Sequence, residues 1–282
     1  MGNRAVVLAA LAALSAFAAD AQNPPAPPAT ARIYIFDNGA IKGLDLALFN
    51  FKREELKEVD FTDVSYLIVH PRGTLMFDSG EIADGQFKGD GQPVTQDVMS
   101  ASKPLLPQLA AAGYKPADVT YFALSHYHAD HTANANEFAS ATWIVQKAEH
   151  DVMFAEKPLP IMQQATYSAL KTAKTKILND EGLDVFGDGT VVIRSTPGHT
   201  PGHQVMLVKL AKFGPVILSG DLYHYPEEIA TGKTPDFEFN PAQSAKSRAA
   251  VLAWAKEQNA KLWIEHDAPT HANLPKSPRY LD

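Results

Sequence analysis

Four side chains that can bind a metal ion lie within the segment Ser125–His131, which reads Ser-His-Tyr-His-Ala-Asp-His. Imidazole and carboxylate groups bind Zn²⁺ well, but they also suit manganese, iron, cobalt and nickel. Core packing does not require such a density of polar side chains, and solvated histidines at the end of a strand are the alternative interpretation. The segment therefore predicts a metal site and leaves the identity of the metal open.

The local structure predicted around this segment divides the four side chains into two pairs. Residues Val119–Ser125 are apolar and β-prone, which predicts a buried strand. His126 and His128 are two positions apart in extended chain, so they point to the same side. A helix is predicted to begin directly afterwards, with Asp130 in its first turn. Asp130 and His131 then turn away from the first pair and can bind a second metal.

Three more candidate ligands follow strand-like segments further along the chain. His199 and His203 lie in Thr-Pro-Gly-His-Thr-Pro-Gly-His, whose prolines and glycines favour a tight turn. His199 is the predicted ligand, and His203, which opens the next strand, is interpreted as structural or as support for a ligand. Asp221 ends an apolar strand, where a carboxylate can bridge two cations, or can simply be a turn residue. His266 follows the last predicted strand and offers one more imidazole.

Strand-like and helix-like segments alternate over the rest of the chain, which suggests sheets covered by helices. The predicted strands are Ala31–Phe36, Val64–Val69, Gly73–Asp78, Thr142–Val145, Val191–Ser195, Val205–Leu210, Val216–Ser219 and Lys261–Glu265. The predicted helices are Leu105–Ala112, Asp130–Ser140, Ala148–Phe154, Gln163–Ala173 and Ala242–Gln258. Residues 81–102 are rich in glycine and turn-forming pairs, and we predict a loop there.

The N-terminal residues predict an exported protein. Residues 1–21 combine a short basic start, an apolar run shorter than the roughly 20 residues that span a bilayer, and small residues suited to cleavage. We interpret them as a signal peptide, with a membrane anchor as the alternative. Residues 22–30, rich in proline and alanine, predict an extended tether, and residues 31–282 predict one domain. A bacterial periplasm is the expected compartment, and secretion is the second choice.

Composition narrows the classes of partner. The formal net charge of −7, without blocks of lysine or arginine, argues against nucleic acid or an anionic membrane as partners. The chain has no cysteine, so thiolates cannot hold its metals and no disulfide is needed for folding. We expect a small-molecule substrate and no stable membrane anchor, and a homodimer is left open as an alternative to a monomer.

Taken in order, these motifs resemble the ligands of the metallo-β-lactamase superfamily. The resemblance runs from about Ile33 to the end and implies an α+β fold, the αββα sandwich, with two mixed sheets face to face, helices outside, and metals at the shared edge. It implies two divalent metal ions, with Zn²⁺ expected, and a hydroxide between them. It also implies that Asp78 either steadies the metal loops or caps a turn. The implied metal ligands are His126, His128 and His199 for one ion, Asp130, His131 and His266 for the other, and Asp221 as the bridge.

Within that superfamily the chain looks most like the N-acyl-homoserine lactone lactonases, through its length, its Ser-Gly-Asp-Leu-Tyr-His stretch and its Glu-His-Asp ending. The resemblance implies opening of the lactone ring by the bridging hydroxide, with Asp130 as proton shuttle. Another small lactone or ester hydrolase, or a thioester hydrolase like glyoxalase II, is the alternative. A β-lactamase is disfavoured because those enzymes generally lack an aspartate at the position of Asp221. A non-catalytic binding protein would typically have lost ligands, and none is missing here.

One departure from the lactonases concerns substrate contact. Many of them place a tyrosine three residues after the bridging aspartate, where it donates a hydrogen bond to the substrate carbonyl. This chain has His224 there, and a neutral imidazole can still donate one hydrogen bond, although simple packing beside the site is the alternative. An acyl chain would also need an apolar groove, for which the candidates are Phe49, Phe51, Phe87, Met153 and Phe154, and ordinary core or surface packing is the equal alternative for each of them.

Overall fold

The structure is a computed structural model that describes residues 23–89, 91–159 and 161–282. The predicted signal peptide lies outside the described residues. Residues 23–28 form neither helix nor strand. In the described part of the chain, no helix combines the length and hydropathy needed to cross a bilayer.

Two β-sheets form the centre of the fold. The strands are β1 Arg32–Ile41, β2 Phe61–His70, β3 Gly73–Phe77, β4 Val94–Gln96, β5 Met99–Ala101, β6 Tyr121–Ala123, β7 Thr142–Gln146, β8 Thr175–Leu178, β9 Leu183–Asp184, β10 Val191–Ser195, β11 Gln204–Leu210, β12 Gly214–Leu218, β13 Lys261–Trp263 and β14 Tyr280–Leu281. The larger sheet has the order β4-β5-β1-β2-β3-β6-β7-β8, with β14 paired to β1, and the smaller has the order β13-β12-β11-β10-β9. Both mix parallel and antiparallel pairs.

Helices cover the outer faces of both sheets. The helices of the described residues are α1 Leu105–Ala111, α2 Ala129–Thr132, α3 Lys147–Met153, α4 Gln164–Tyr167, α5 Glu227–Thr231, α6 Pro241–Gln258 and α7 Ala268–Ala272, and α1, α3 and α6 lie on those outer faces. On α6, Val251 and Trp254 pack with Leu207 and Ile217 of the smaller sheet. This apolar contact holds α6 against the strands that lead to Asp221.

Strand β2 shows why the fold has layers. Val64 and Ile68 belong to the core between the two sheets, whereas Leu67 packs outside, in the cluster that contains Leu109 of α1. Because side chains alternate across a strand, a strand buried on both faces is almost continuously apolar. The predicted α+β sandwich, with two sheets face to face and helices outside, is confirmed.

The structure corrects the predicted loop over residues 81–102. A 3₁₀ turn forms at Asp84–Gln86, and β4 and β5 make a small hairpin whose second strand pairs with β1 through Ala40–Ser100 and Ile41–Met99. These strands are three residues each and half exposed, too short to carry an alternation signal. Their partner is the edge of β1, which lies far away in sequence, so composition alone could not predict them.

The predicted helix over Asp130–Ser140 is also shorter in the structure. Helix α2 ends at Thr132, and a separate 3₁₀ turn covers Ala135–Phe138. Asn134 lies between them, and its side-chain amide donates to the carbonyl oxygens of Ser79 and Ile82. Asparagine thus bonds to a neighbouring loop instead of continuing the helix.

Candidate metal centre

The candidate site lies where four strands end at one edge of the sandwich. Strands β6, β10, β12 and β13 lead into the segments that hold His126, His199, Asp221 and His266 respectively. Gln204 joins the two sheets beneath them, because its backbone N–H donates to the carbonyl of Ser125 over 2.9 Å. Its side-chain amide also donates to the carbonyl of Leu124 over 2.8 Å. The two sheets are therefore tied together directly under the site.

All seven predicted ligands meet there, in two groups whose ligand atoms lie within 4.8 Å of one another. The first group consists of His126, His128, His199 and Asp221, and the second group consists of Asp130, His131, Asp221 and His266. In the first group, Nε2 of His199 lies 3.1 Å from Nδ1 of His128. In the second, Oδ2 of Asp130 lies 3.8 Å from Nε2 of His131 and 3.7 Å from Nε2 of His266.

Asp221 lies between the two groups and presents one oxygen to each. Its Oδ2 is 3.7 Å from Nε2 of His126 and 3.6 Å from Nε2 of His199. Its Oδ1 is 3.2 Å from Nε2 of His131 and 3.1 Å from Nε2 of His266. This is the arrangement that a carboxylate shared by two cations requires.

Several of these atoms are buried and have no hydrogen-bond partner in the described part of the chain. Nε2 of His126, Nε2 of His131 and Oδ1 of Asp221 all belong to this set. Buried polar atoms rarely lack a hydrogen-bond partner, so these converging atoms indicate a site for a bound cation. The donors are imidazole nitrogens and carboxylate oxygens in sets of four, which suits Zn²⁺ and similar divalent cations.

The charge states of the first group favour binding of a cation. Burial, followed by the charge of His199, lowers the pKa of His128 to about 3. Burial and the neighbouring His131 lower the pKa of His126 well below its ordinary value. Burial opposes ionisation of Asp221, but His266 and His131 hold its pKa well below the usual range. Neutral imidazoles around an ionised carboxylate are the protonation states that a metal site needs.

In His126 and His266, the ring nitrogen that faces away from the site contacts an oxygen atom. Nδ1 of His126 lies 3.0 Å from Oγ of Ser125, and Nδ1 of His266 lies 2.9 Å from the carbonyl oxygen of Thr62. Such contacts select the tautomer that leaves Nε2 free for a metal.

His131 is held by two carboxylates. Its Nδ1 lies 3.3 Å from Oδ2 of Asp78 and 3.2 Å from Oε1 of Glu265. The other oxygen of Asp78 accepts the backbone N–H of Ser125 over 2.6 Å. Asp78 therefore contacts the candidate ligand His131 and the backbone of Ser125, next to His126. Of the two roles considered for Asp78, these contacts favour support of the ligand loop over a turn cap. His203 belongs to neither group, and its Nδ1 lies 2.8 Å from Oγ1 of Thr196.

A buried carboxylate that was not predicted from the sequence joins two of the loops. Glu149, in α3, accepts the backbone N–H groups of Tyr127 and Gly202 over 2.8 Å each. Both its oxygens also lie within 3.0 Å of the hydroxyl of Thr200. A Cβ atom at Gly202 would lie 2.4 Å from the backbone nitrogen of Glu149, so only glycine allows this close approach. A lone glutamate in a short helix carries no sequence signal for such a role.

His224 does lie beside the predicted ligands. Its Nε2 is 3.3 Å from Oδ2 of Asp221, and its Nδ1 is 3.6 Å from Oε1 of Glu228. Burial lowers its affinity for a proton, yet Asp221 and then Glu228 raise the pKa of His224 to about 10. These carboxylates favour the imidazolium, in contrast to the neutral ring assumed from the sequence. A cation held by Asp221 would oppose that charge.

Aromatic rings form one wall of the site, and only part of the predicted groove belongs to it. The ring of His224 lies 5.2 Å from Phe49 and 5.6 Å from Phe237, and Phe61 stacks on His266 at 4.6 Å. Of the other candidates, Phe51 packs on Tyr225 behind this wall and Phe87 is half-buried in its own loop. Met153 belongs to the core outside the larger sheet and Phe154 packs against it, so for these two residues the alternative of ordinary packing holds.

Comparison with known proteins gives consistent matches. A family model described as the metallo-beta-lactamase superfamily matches residues 61–262. The N-acyl homoserine lactonase AttM of Rhizobium radiobacter is 28% identical over 260 residues, covering 88% of this chain and 98% of the relative. A solved quorum-quenching N-acyl homoserine lactone hydrolase superimposes with a TM-score of 0.74 at 20% identity, covering 89% of this chain and 98% of that chain. A solved structure of an N-acyl homoserine lactone hydrolase with the product N-hexanoyl-L-homoserine bound at the catalytic metal center has a TM-score of 0.72 at 22% identity, covering 89% of this chain and 98% of that chain.

Proposed function

Because this chain belongs to the metallo-β-lactamase superfamily, we propose that it is a metal-dependent hydrolase that opens the lactone ring of N-acyl-homoserine lactones. The observation that carries the proposal is the pair of ligand groups that share Asp221 beside an aromatic wall. The curated relatives named as lactonases support the substrate class. So does the hydrolase whose structure holds N-hexanoyl-L-homoserine.

Two divalent cations, which we propose to be Zn²⁺, would be held by the first and second groups and would supply Lewis acidity and a water of lowered pKa. Asp130 is the most exposed of the acidic ligands, with 18% of its side chain accessible, and it can carry a proton to the leaving ring oxygen. Nε2 of His224 lies 3.3 Å from Oδ2 of Asp221. A substrate carbonyl bound beside that oxygen can accept the N–H of His224 as negative charge develops.

The acyl chain needs an apolar surface that begins at this centre. Phe237 is 39% exposed and packs 5.9 Å from His199, and Phe239, two residues later, is 60% exposed. Leu48 is 46% exposed and lies beside this segment, because its carbonyl oxygen accepts the backbone N–H of Asp236 over 2.8 Å. The backbone N–H of Phe239 donates to the carbonyl of His199, so these rings are fixed beside the site. We propose that an acyl chain leaves the lactone along this exposed apolar rim, Leu48, Phe237 and Phe239.

A hydrolysis assay on purified protein tests the proposal. We expect a series of N-acyl-homoserine lactones to be opened with higher kcat/KM than a simple lactone, a thioester or a β-lactam. Asp221→Asn serves as the inactive control because it weakens the bridge while keeping the volume of the side chain. Faster cleavage of the thioester than of every lactone would favour a glyoxalase II-like activity instead.

We also propose that the protein is exported, on the basis of residues 1–21. Mass analysis of the N-terminus of protein from the native host should find a chain that begins near Ala19 or Gln22. A chain that retains Met1 in the cytoplasm would contradict this proposal. Light scattering of the purified protein distinguishes a homodimer from a monomer.

A further inference from the structure

A buried ion cluster behind the metal centre connects α6 to two histidines of the site. Arg248 is 6% exposed, and its Nη2 lies 2.9 Å from Oε2 of Glu228 and 3.5 Å from Oε1 of Glu238. Its Nη1 donates to the carbonyl oxygen of Lys233 over 2.7 Å. One guanidinium thus contacts two carboxylates that are 1% and 6% exposed.

Each of these carboxylates also faces a histidine of the site. Oε1 of Glu238 lies 3.5 Å from Nδ1 of His199. Oε1 of Glu228 lies 3.6 Å from Nδ1 of His224, and its Oε2 accepts the backbone N–H of His224 over 3.3 Å. The Nε2 atoms of the same two histidines point the other way, to Oδ2 of Asp221.

We propose that Arg248 is a positioning residue for both histidines. By holding Glu228 and Glu238, it keeps the Nδ1 protons of His199 and His224 directed away from the centre. His199 then presents the lone pair of Nε2 to a metal, as a ligand imidazole must, and His224 keeps its Nε2 directed at Oδ2 of Asp221. The part that concerns His224 rests on the proposed function, whereas the part that concerns His199 needs only metal binding.

The chemistry of the cluster explains why arginine occupies this position. A planar guanidinium offers five N–H groups in a fixed fork that spreads over two carboxylates and a carbonyl, whereas an ammonium group has three N–H groups on one nitrogen at the end of a flexible stem. It also lies 4.8 Å from the ring centre of Tyr223, one residue before His224. Gly198, one residue before His199, also packs closely on α6, since a Cβ atom there would lie 2.3 Å from Cα of Ser244. Helix α6 therefore contacts both the loop that holds His199 and the segment that holds His224.

The test compares variants of Arg248 in the full chain. Arg248→Lys keeps the charge and loses the fork, and Arg248→Gln loses both. Arg248→Gln leaves two buried carboxylates without a cation, which can prevent folding. The triple variant Arg248→Gln, Glu228→Gln, Glu238→Gln removes all three charges together, so it provides a folded protein for the same measurements. Lys246→Met, at an exposed position of the same helix, is the matched control.

The first measurement is the affinity for zinc by chelator competition, together with the visible spectrum of the cobalt-loaded protein. We expect the Gln and triple variants to bind the metal of the first group about tenfold to a hundredfold more weakly, with an altered cobalt spectrum. Arg248→Lys should lie between them and the wild type. Folded variants with wild-type affinity and spectrum, or an equal loss in Lys246→Met, would overturn the proposal.

The second measurement separates this inference from the proposed function. At saturating zinc, the variants should open the lactone with lower kcat and little change in KM, because His224 is misdirected while the apolar rim is intact. Unchanged kcat in a folded variant at saturating zinc would overturn the His224 half. A wild type that opens no lactone would refute the proposed function, and the zinc and cobalt measurements would still decide the His199 half.

Discussion

Removal of the Glu149 carboxylate is expected to destabilise the protein and loosen the metal loops. Three buried donors converge on it, the N–H groups of Tyr127 and Gly202 and the hydroxyl of Thr200. A buried donor left without a partner costs about 1–3 kcal/mol. Glu149→Ala orphans three donors and should lower the free energy of unfolding by roughly 3 kcal/mol or more.

A second substitution at the same position tests the mechanism. Glu149→Gln preserves the shape, and its carbonyl can still accept from Tyr127, but its NH₂ group meets the N–H of Gly202. We expect a loss of about 1–3 kcal/mol, since one donor is orphaned. Glu156→Gln, an exposed site nearby, is the control and should change stability by less than about 0.5 kcal/mol.

Urea unfolding of the zinc-loaded protein, followed by circular dichroism, measures these differences, and chelator competition reports the metal affinity of the first group. Both Glu149 variants should also bind zinc more weakly, because Tyr127 lies between two ligands and Thr200 follows His199. If Glu149→Ala unfolded within about 0.5 kcal/mol of the wild type, the hydrogen bonds would not hold the loops, and the reasoning would be refuted.

Three further predictions concern charge and chemistry. Elemental analysis should find two metals per wild-type chain and at most one tightly bound metal in Asp221→Ala, and one metal in a fully active wild type would contradict the shared bridge. His224→Ala should lower kcat/KM about tenfold to a thousandfold with both metals retained, whereas His224→Tyr should keep much of the activity; equal values for all three proteins would assign His224 to packing. Burial, then Lys276, lowers the pKa of His271 to about 3, so its contribution to stability is present above pH 6.5 and is lost as the pH falls. From pH 7.5 to 5.5 the wild type should lose about 1.4 kcal/mol more than His271→Gln, and parallel losses in urea unfolding would refute this.

The candidate ligands could be predicted from the sequence because their signals are local. His126, His128, Asp130 and His131 fall within one strand-to-helix junction, and His199, Asp221 and His266 each end an apolar segment. Strand ends gather at a sheet edge, so polar side chains there are expected to meet. Most of the strands that were predicted from apolar segments have bounds within a residue or two of those in the structure, and the bounds of Val191–Ser195 are unchanged.

The surface against which each apolar side chain packs could not be predicted from local sequence patterns. The aromatic residues show this most clearly, since Phe49 reaches the site while Met153 and Phe154, equally apolar, pack into the outer core. Apolar character predicts burial, but it does not say against which surface.

The supports of the ligands also depend on the tertiary structure. The carbonyl of Thr62 contacts Nδ1 of His266 across 204 positions of sequence, and Glu149 reaches Gly202 across 53. Arg248 meets Glu228 and Glu238 only because α6 packs on the smaller sheet. The residue types and the order of the candidate ligands could thus be predicted from the sequence. The packing of two sheets and a helix decided how Asp221 is shared and which oxygen faces each imidazole, because those distances exist only once remote segments have been brought together.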